Sequence, residues 1–391
     1  MCTIQLMEIK IYMKMLYVNK VSPIFGGGAE LRIREIGKRL VKRGHEAYVI
    51  CAKTEPNLPD YENVEGIKVY YVKTIPEFLF RFKKISFYLS RYMFYFLSIM
   101  KLYKVAKKVD IIIDDIAPAP SFAYIIAIIL NKPCYATIHE FFGLKWFKLK
   151  DPITASFGFF SQYLLKIFIF KKIITVSEFT KSRLIDFGIP KERIIVIPNG
   201  IDVSKYLYKK GILKEKNSIV TLGRLVKQKG HIYLIDAMRE VVKKVQDAKL
   251  YIIGDGPLIN KLKQHVRECG LEKNIIFMGK ESEKEKIKRL YMSELFALSS
   301  LQEGFGIVLL ESMACGLPII ASNLSVFREF LNNGKNGYLV EKANSKKFAE
   351  MIVELLGNDE KRNRIGRYNQ EYVKRFDWDK VAEMEEEVLM G

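Results

Sequence analysis

The sequence predicts an α/β protein of two domains, each a doubly wound parallel sheet, and three observations carry that reading. The chain has 391 residues, more than one ordinary core fills. Near its start, KMLYVNK (14–20) is an apolar run that ends in SPIFGGGAE, after which LRIREIGKRLVKRG spaces its apolar residues as a helix does and stops at Gly44. HEAYVICA follows as a strand, so the order is strand, glycine loop, helix, strand. After residue 217 the order restarts, with SIVTLGRL (218–225) a strand and glycine turn, HIYLIDAMREVVKKV a helix, and KLYIIGDG a second strand and turn.

The remaining elements fill out both sheets. Strands are expected at IKVYYV (67–72), DIIIDD (110–115), PCYATIH (133–139), KIITVS (172–177) and RIIVIP (193–198), then at NIIFMG (274–279), ELFALSS (294–300) and LPIIAS (317–322). The tail reads as helices over 346–357, 360–376 and 378–390. The boundary falls near 198–217, which gives a first domain at 1–198, a second at 199–376 and a terminal helix at 377–391. Residues 1–12 suit an upstream extension, which leaves Met1 and Met13 as alternative starts, and MCTIQLMEIKIY lacks the charged start, apolar centre and cleavage site of a signal peptide. Open parallel sheets bind ligands beyond the carboxyl ends of their strands, so two that face each other would make a cleft.

Composition narrows the function. The five cysteines (Cys2, Cys51, Cys134, Cys269, Cys315) are scattered and form no C-x-x-C pair, which suits a reducing, cytoplasmic setting and predicts no metal site. The net charge of +20 is concentrated in residues 1–200, which hold 31 Lys/Arg against 17 Asp/Glu. Within them FLFRFKKISFYLSRYMFYFLSIMKLYKVAKK (78–108) carries eight basic residues, no acidic one, and abundant aromatic side chains. That composition suits peripheral contact with anionic lipid at the inner face of the cell membrane, the alternative being a core helix pair with a solvated basic edge. No stretch has the roughly 20 uninterrupted apolar residues of a membrane span.

Two constellations carry chemistry. EGFGIVLLESMACGLP (303–318) follows a strand, so Glu303 lies in a loop at a carboxyl end and Gly304-Phe305-Gly306 leads into a helix beginning near Ile307, whose first N–H groups favour an anion. Glu311 sits one or two turns into that helix. Taken singly, Glu303 is a solvated loop acid and Glu311 a surface residue; together, around the glycines, they read as a site. GRLVKQKG (223–230) places Arg224, a planar fork, and Lys229, a mobile point charge, beside a glycine turn where they suit a diphosphate. GDGPL (254–258) is a strand-to-helix turn with Pro257 at the first helical position. GGGAE (26–30) is an incomplete dinucleotide fingerprint, and His139 in ATIHE follows a strand end.

In order, GGGAE, ATIHE, TVSEFTKSRL, IPNGID, GRLVKQKG, GDGPL and EGFGIVLLESMACGLP resemble the retaining GT-B glycosyltransferases of family 4, the group 1 transferases. The resemblance implies two facing Rossmann-like domains, the first binding an acceptor and the second a nucleotide-sugar donor, with the terminal helix crossing back to the first. It implies that Arg224 and Lys229 hold the donor diphosphate, Glu311 bonds the ribose and Glu303 lies against the donor sugar. It also implies that Gly304, Phe305, Gly306 and Ile307 contact sugar and phosphate through their amides, that His139 lies near the reacting end of the sugar, and that Gly27 and Gly28 line the pyrophosphate side. NLSVFREFL after LPIIAS departs from the glycine-rich turn of many relatives.

The expected activity is therefore transfer of a sugar from a nucleoside-diphosphate sugar to a lipid-linked or polysaccharide acceptor, with retention, no cofactor and no metal. Cations and a helix tip stabilise the departing diphosphate without an ion; Asp377-Trp378-Asp379 matches D-x-D but opens a terminal helix and reads as chance. The alternatives are a nucleotide-sugar epimerase of the same fold and a basic nucleic-acid-binding protein. Nucleic acid is not the expected partner, since no recognition helix, RNP-like strand or basic arm stands in the sequence.

Overall fold

The computed structural model describes residues 12–24, 27–53, 55, 57–74, 83–116, 120–149, 152–206 and 212–391. The chain divides into two compact units. Pro198–Lys380, with Ser177–Phe179, form the second; the rest up to Ile197, together with Val381–Gly391, forms the first. The final helix, Trp378–Met390, therefore starts in the second unit and belongs to the first from Val381 onward.

The first unit carries an eight-stranded sheet built from β1 (Lys14–Val18), β2 (Glu46–Ala52), β3 (Tyr61–Val64), β4 (Ile67–Val72), β5 (Ile111–Ile116), β6 (Cys134–Ile138), β7 (Ile173–Thr175) and β8 (Ile194–Val196). Its order is β3-β4-β2-β1-β5-β6-β7-β8, parallel throughout except that β3 runs antiparallel to β4. Strand β3 was not expected. Its YENV alternates without an apolar face, and its hairpin turns on Glu65 and Gly66, both at positive φ (52° and 89°), a two-residue geometry that sequence signals best as Asn-Gly. The apolar core below the sheet takes Leu16, Ile50, Ile112 and Ile138 from the strands, Phe94, Leu102 and Val105 from the helix Lys83–Ala106, and Ala123 and Ile126 from the helix Ala123–Ile129.

The second unit holds six strands: β9 (Ser218–Leu222), β10 (Lys249–Ile253), β11 (Ile275–Gly279), β12 (Leu295–Leu298), β13 (Ile319–Ser322) and β14 (Gly337–Val340). All pair in parallel, in the order β11-β10-β9-β12-β13-β14. β14 is a second element absent from the sequence reading, because four residues are too few to establish a period of two. Two boundaries also differ. The helix expected over 360–376 ends at Tyr372 and tightens into a 3-10 turn over Val373–Phe376. The helix after GDGPL starts at Ile259 with Leu258 as its cap, so Pro257 lies in the preceding turn and not at the first helical position.

That turn is where backbone meets backbone. Gly254 has φ +139°, and a Cβ there would stand 2.0 Å from the Gly223 carbonyl oxygen; one on Gly256 would stand 2.7 Å from Leu225 backbone atoms. The Leu225 N–H donates to Asp255 O (2.9 Å) and the Leu258 N–H to Leu225 O (3.1 Å), so the loops after β9 and β10 are stitched together. Gly254→Ala is expected to cost about 3 kcal/mol, since a methyl would displace backbone. Gly270→Ala, also at positive φ but with open space around it, is expected to cost only about 1 kcal/mol. Urea midpoints of the two variants test this, and equal losses would refute the packing account.

Candidate functional site

In the second sheet the chain leaves β9 toward β10 and β11, then returns to lay β12 on the other side of β9. The strand order reverses between β9 and β12, and ligands of such sheets gather beyond the carboxyl ends at that reversal. The two loops that leave those ends are 223–230 and 299–306, the two segments singled out from sequence.

They are locked together. Gly230 has φ +60°, and a Cβ on it would fall 2.2 Å from the Ser299 carbonyl oxygen. Ser299 Oγ donates to Gly230 O at 2.9 Å, and the Leu301 N–H to Gln228 O at 2.7 Å. This close approach carries Lys229 to Glu303: Nζ donates to Oε1 at 2.6 Å, and Ser300 Oγ donates to the same oxygen at 2.7 Å. The pair is neither sealed nor free, with side chains 22% and 9% exposed. Arg224 extends into solvent from the same loop, while its carbonyl faces His231 Nε2 at 3.3 Å. Burial pushes that histidine down to about 4, so its ring is neutral near pH 7.

Two helices begin at this edge, His231–Lys244 and Ile307–Ala314. Each starts from a glycine in the left-handed region, Gly230 or Gly306 (φ +96°), and neither has a side-chain cap. Three other helices of the unit are capped in the ordinary way, by Ser282, Asn344 and Asn358, each accepting a first-turn N–H. Uncapped tips present N–H groups and a positive partial charge to whatever anion lies before them. The Glu303–Gly306 turn is held from beneath by Phe305, which is buried against Phe330 and Phe376 with ring centroids 5.5 and 6.4 Å away. A Cβ on Gly306 would meet Phe327 at 2.6 Å, so glycine is needed there for space as well as for φ. Gly304 lies in the same turn, and Ile307 opens the helix, half-buried.

Glu311 is not a surface residue. It is buried, and its Oε1 accepts from Tyr206 OH (3.0 Å) and Lys286 Nζ (2.9 Å). Tyr206 OH also reaches Glu283 at 2.8 Å, and Lys286 bridges to Glu283 at 2.8 Å. Burial, reinforced by Glu311 and Glu283, lifts the Tyr206 phenol far above its usual range. For Lys286 burial works against the charge, but the two carboxylates outweigh it and raise the pKa. Neither Tyr206 nor Lys286 was identified from sequence. One comes from a polar linker and the other is one of many helix lysines, and only the fold brings them to Glu311.

His139 and the glycine loop lie in the first unit. His139 follows β6, and its Nε2 stands 3.0 Å from Asp115 Oδ2 at the end of β5. Asp115 is itself buried, and its Oδ1 finds no partner among the described residues. Its neighbour Asp114, accepting from the Ser121 N–H at 2.8 Å, is pushed up to about 7 by burial. Both aspartates were read only as the polar end of a strand. Gly27 caps the helix Gly28–Lys42 at ordinary φ (−98°), and its N–H donates to Glu30 Oε2 at 2.8 Å, so a carboxylate of the chain itself already holds this tip.

The family model described as "Glycosyltransferase Family 4" matches residues 26–205, and that described as "Glycosyl transferases group 1" matches residues 203–372. An uncharacterized glycosyltransferase of Methanocaldococcus jannaschii is 36% identical over 211 residues, which are 54% of this chain and only 57% of the relative's own length. The UDP-Gal:alpha-D-GlcNAc-diphosphoundecaprenol alpha-1,3-galactosyltransferase of Escherichia coli is 27% identical over 353 residues, covering 85% of this chain and 86% of that one. Among solved structures, Anabaena HepE in complex with UDP and glucose superposes with a TM-score of 0.75 at 20% identity, over 97% of this chain and 100% of that one. The fold is thus GT-B. With one model on each half, in the order the motifs run, the chain belongs to the group 1 glycosyltransferases, family 4.

Proposed function

We propose that the protein transfers a sugar from a nucleoside-diphosphate sugar to a lipid-linked or polysaccharide acceptor, retaining the anomeric configuration and using no metal. The observation that carries this reading is the pairing of Lys229 with Glu303 beside two uncapped helix tips, at the reversal of the second sheet. In this reading Arg224 and Lys229 bind the diphosphate, and the amides of Phe305, Gly306 and Ile307 complete its cradle. Breaking the sugar–phosphate bond builds negative charge on the departing diphosphate, and these preformed donors meet it without reorganising. Glu303 lies against the sugar: Lys229 and Ser300 both bond its Oε1, which leaves Oε2 for sugar hydroxyls or for charge developing on the ring. Glu311, held by Tyr206 and Lys286, accepts from the ribose hydroxyls. His139, oriented by Asp115, serves the reacting end of the sugar, and Gly27 and Gly28 the pyrophosphate side.

The acceptor class rests on likeness, since the Escherichia coli relative is named for a diphosphoundecaprenol-linked sugar. A lipid-linked acceptor agrees with the surface of the first unit. On the helix Lys83–Ala106, Phe96 and Met100 are 69% and 73% exposed, one turn apart, with Tyr103 and the exposed Lys104 following and Lys107 just past the helix end. Ile128 and Ile129 are also exposed, on a neighbouring helix that packs into the same core. No described helix is long and apolar enough to cross a membrane. The expected contact is therefore an interfacial one, in which apolar side chains enter the headgroup layer and lysines face anionic lipid. Residues 78–82 of the basic aromatic segment lie outside the described residues.

Lys229→Ala removes a charged hydrogen bond of about 2 kcal/mol, so donor kcat/KM is expected to fall about thirtyfold while the melting temperature changes little; unaltered donor kinetics would remove Lys229 from the diphosphate site. Transfer activity is expected to persist in excess EDTA, and loss restored by Mn²⁺ would contradict a metal-free mechanism. Phe96→Ser combined with Met100→Ser should lower co-sedimentation with anionic phospholipid vesicles severalfold at unchanged activity on a water-soluble acceptor, whereas unchanged sedimentation would make the patch ordinary surface.

A further inference from the structure

Away from the loops just described, the second unit brings three metal-ligating side chains together. Asp236 projects from the helix His231–Lys244, His265 from the helix Ile259–Glu268, and Cys269 caps the latter's end. His265 Nε2 stands 2.7 Å from Asp236 Oδ1 and 3.8 Å from Cys269 Sγ, and the three donor atoms all lie within 4.8 Å of one another. All three residues are partly exposed, so an ion could enter from solvent.

The geometry has two independent features of a metal centre. His265 and Cys269 are four residues apart, which puts both on one helix face, and the third donor comes from a different helix. Tetrahedral zinc has Zn–S of about 2.3 Å and Zn–N of about 2.0 Å, which separates sulfur and nitrogen by about 3.5 Å. The observed 3.8 Å needs almost no adjustment; the His265–Asp236 contact must open from hydrogen-bond length by about half an ångström, and Asp236 and Cys269, within 4.8 Å of each other, must meet at about 3.5 Å. The second feature lies on the other side of the ring, where His265 Nδ1 faces Glu268 Oε2 at 3.8 Å. Histidine ligands commonly turn their free ring nitrogen to a carboxylate, which fixes the tautomer that leaves the metal-facing nitrogen bare.

We propose that Asp236, His265 and Cys269 form a binding site for a borderline-soft divalent transition metal, of which Zn²⁺ is the natural candidate, with Glu268 as the outer carboxylate that orients His265. Binding exchanges the thiol proton of Cys269, released to solvent, for a metal–sulfur bond; the Nε2 proton of His265 that bonds Asp236 is given up as Nδ1, facing Glu268, takes one, and the bared Nε2 and the Asp236 oxygen both bind the metal. Three protein ligands leave the fourth position to water. His265 lies six residues past the helix start at Ile259, about 9 Å along the helix from the donor loops, so the ion would clamp two helices of the second unit and would not touch the transferred sugar. An N/O/S donor set excludes Mg²⁺ and Ca²⁺, which take oxygen ligands.

The test uses the full chain, reduced with a phosphine and titrated with Co²⁺. A near-ultraviolet thiolate-to-cobalt charge-transfer band is expected to saturate at one equivalent, to disappear on adding Zn²⁺, and to be absent from Cys269→Ser. Zn²⁺ should raise the melting temperature of the unmodified chain and not that of Cys269→Ser or His265→Ala. Glu268→Gln should keep the band but weaken Co²⁺ binding about tenfold. Absence of the band at stoichiometric Co²⁺, or an undiminished band in Cys269→Ser, overturns the proposal. Both readouts are independent of transferase activity, so the site stands or falls separately from the function proposed above.

Discussion

The candidate site hangs on a contact between two pieces of backbone. Gly230 approaches the Ser299 carbonyl so closely that no side chain fits at residue 230. Gly254 and Gly256 repeat the arrangement against Gly223 and Leu225, so the loops after β12, β9 and β10 lie edge to edge with nothing but main chain between them. Backbone packed this tightly holds position to a fraction of an ångström, because covalent geometry has no rotamers to relax into. Lys229 and Glu303, 74 residues apart, meet at 2.6 Å as a consequence. The glycines of GRLVKQKG, GDGPL and EGFGIV therefore serve one end, which is to let three loops converge on one edge of the sheet.

The same edge concentrates positive potential without burying charge. The left-handed glycine that begins each of the two helices leaves no side chain to cap the first N–H groups, and the cations beside them keep partial access to water. Full desolvation of Arg224 or Lys229 would carry a penalty of several kcal/mol per ion, which their access to water avoids. Glu311 follows the opposite strategy. It is buried, but two donors and a second carboxylate surround it, so its charge is compensated inside unit two. Glu303 is held in the same way, by Lys229 and Ser300 on one oxygen, so both carboxylates have set positions in the unbound fold.

The first unit uses buried charge differently. Asp114 and Asp115 lie near the carboxyl end of a strand whose other residues are isoleucine, and both are sealed from water. One is driven up to about 7 by that burial, while the other meets His139 at 3.0 Å. A histidine tied to a buried carboxylate has a set ring orientation, which a lone exposed histidine after a strand does not. The glycine loop, by contrast, is less open than GGGAE suggests, because Glu30 turns back onto the Gly27 amide. An anion arriving there must displace or share that carboxylate.

The sequence by itself determined the architecture and the identity of the loops. Twelve apolar runs, most of them rich in isoleucine and valine and separated by helical spacing and glycine turns, leave a doubly wound pair of sheets as the consistent solution. Left-handed glycines and strand ends are local features, so the segments around Arg224, Lys229 and Glu303 could be read directly. Elements without a local signature could not: the hairpin strand β3 turns on Glu-Gly, β14 has four residues, and a helix tightens into a 3-10 turn at Val373. Which side chains meet was decided only by the tertiary structure. Tyr206 and Lys286 around Glu311, Asp115 behind His139, and Asp236 beside His265 and Cys269 are each pairings between distant segments. Sequence spacing constrains neighbours within one helix or strand, whereas contact across elements depends on strand order and packing, which no single segment encodes.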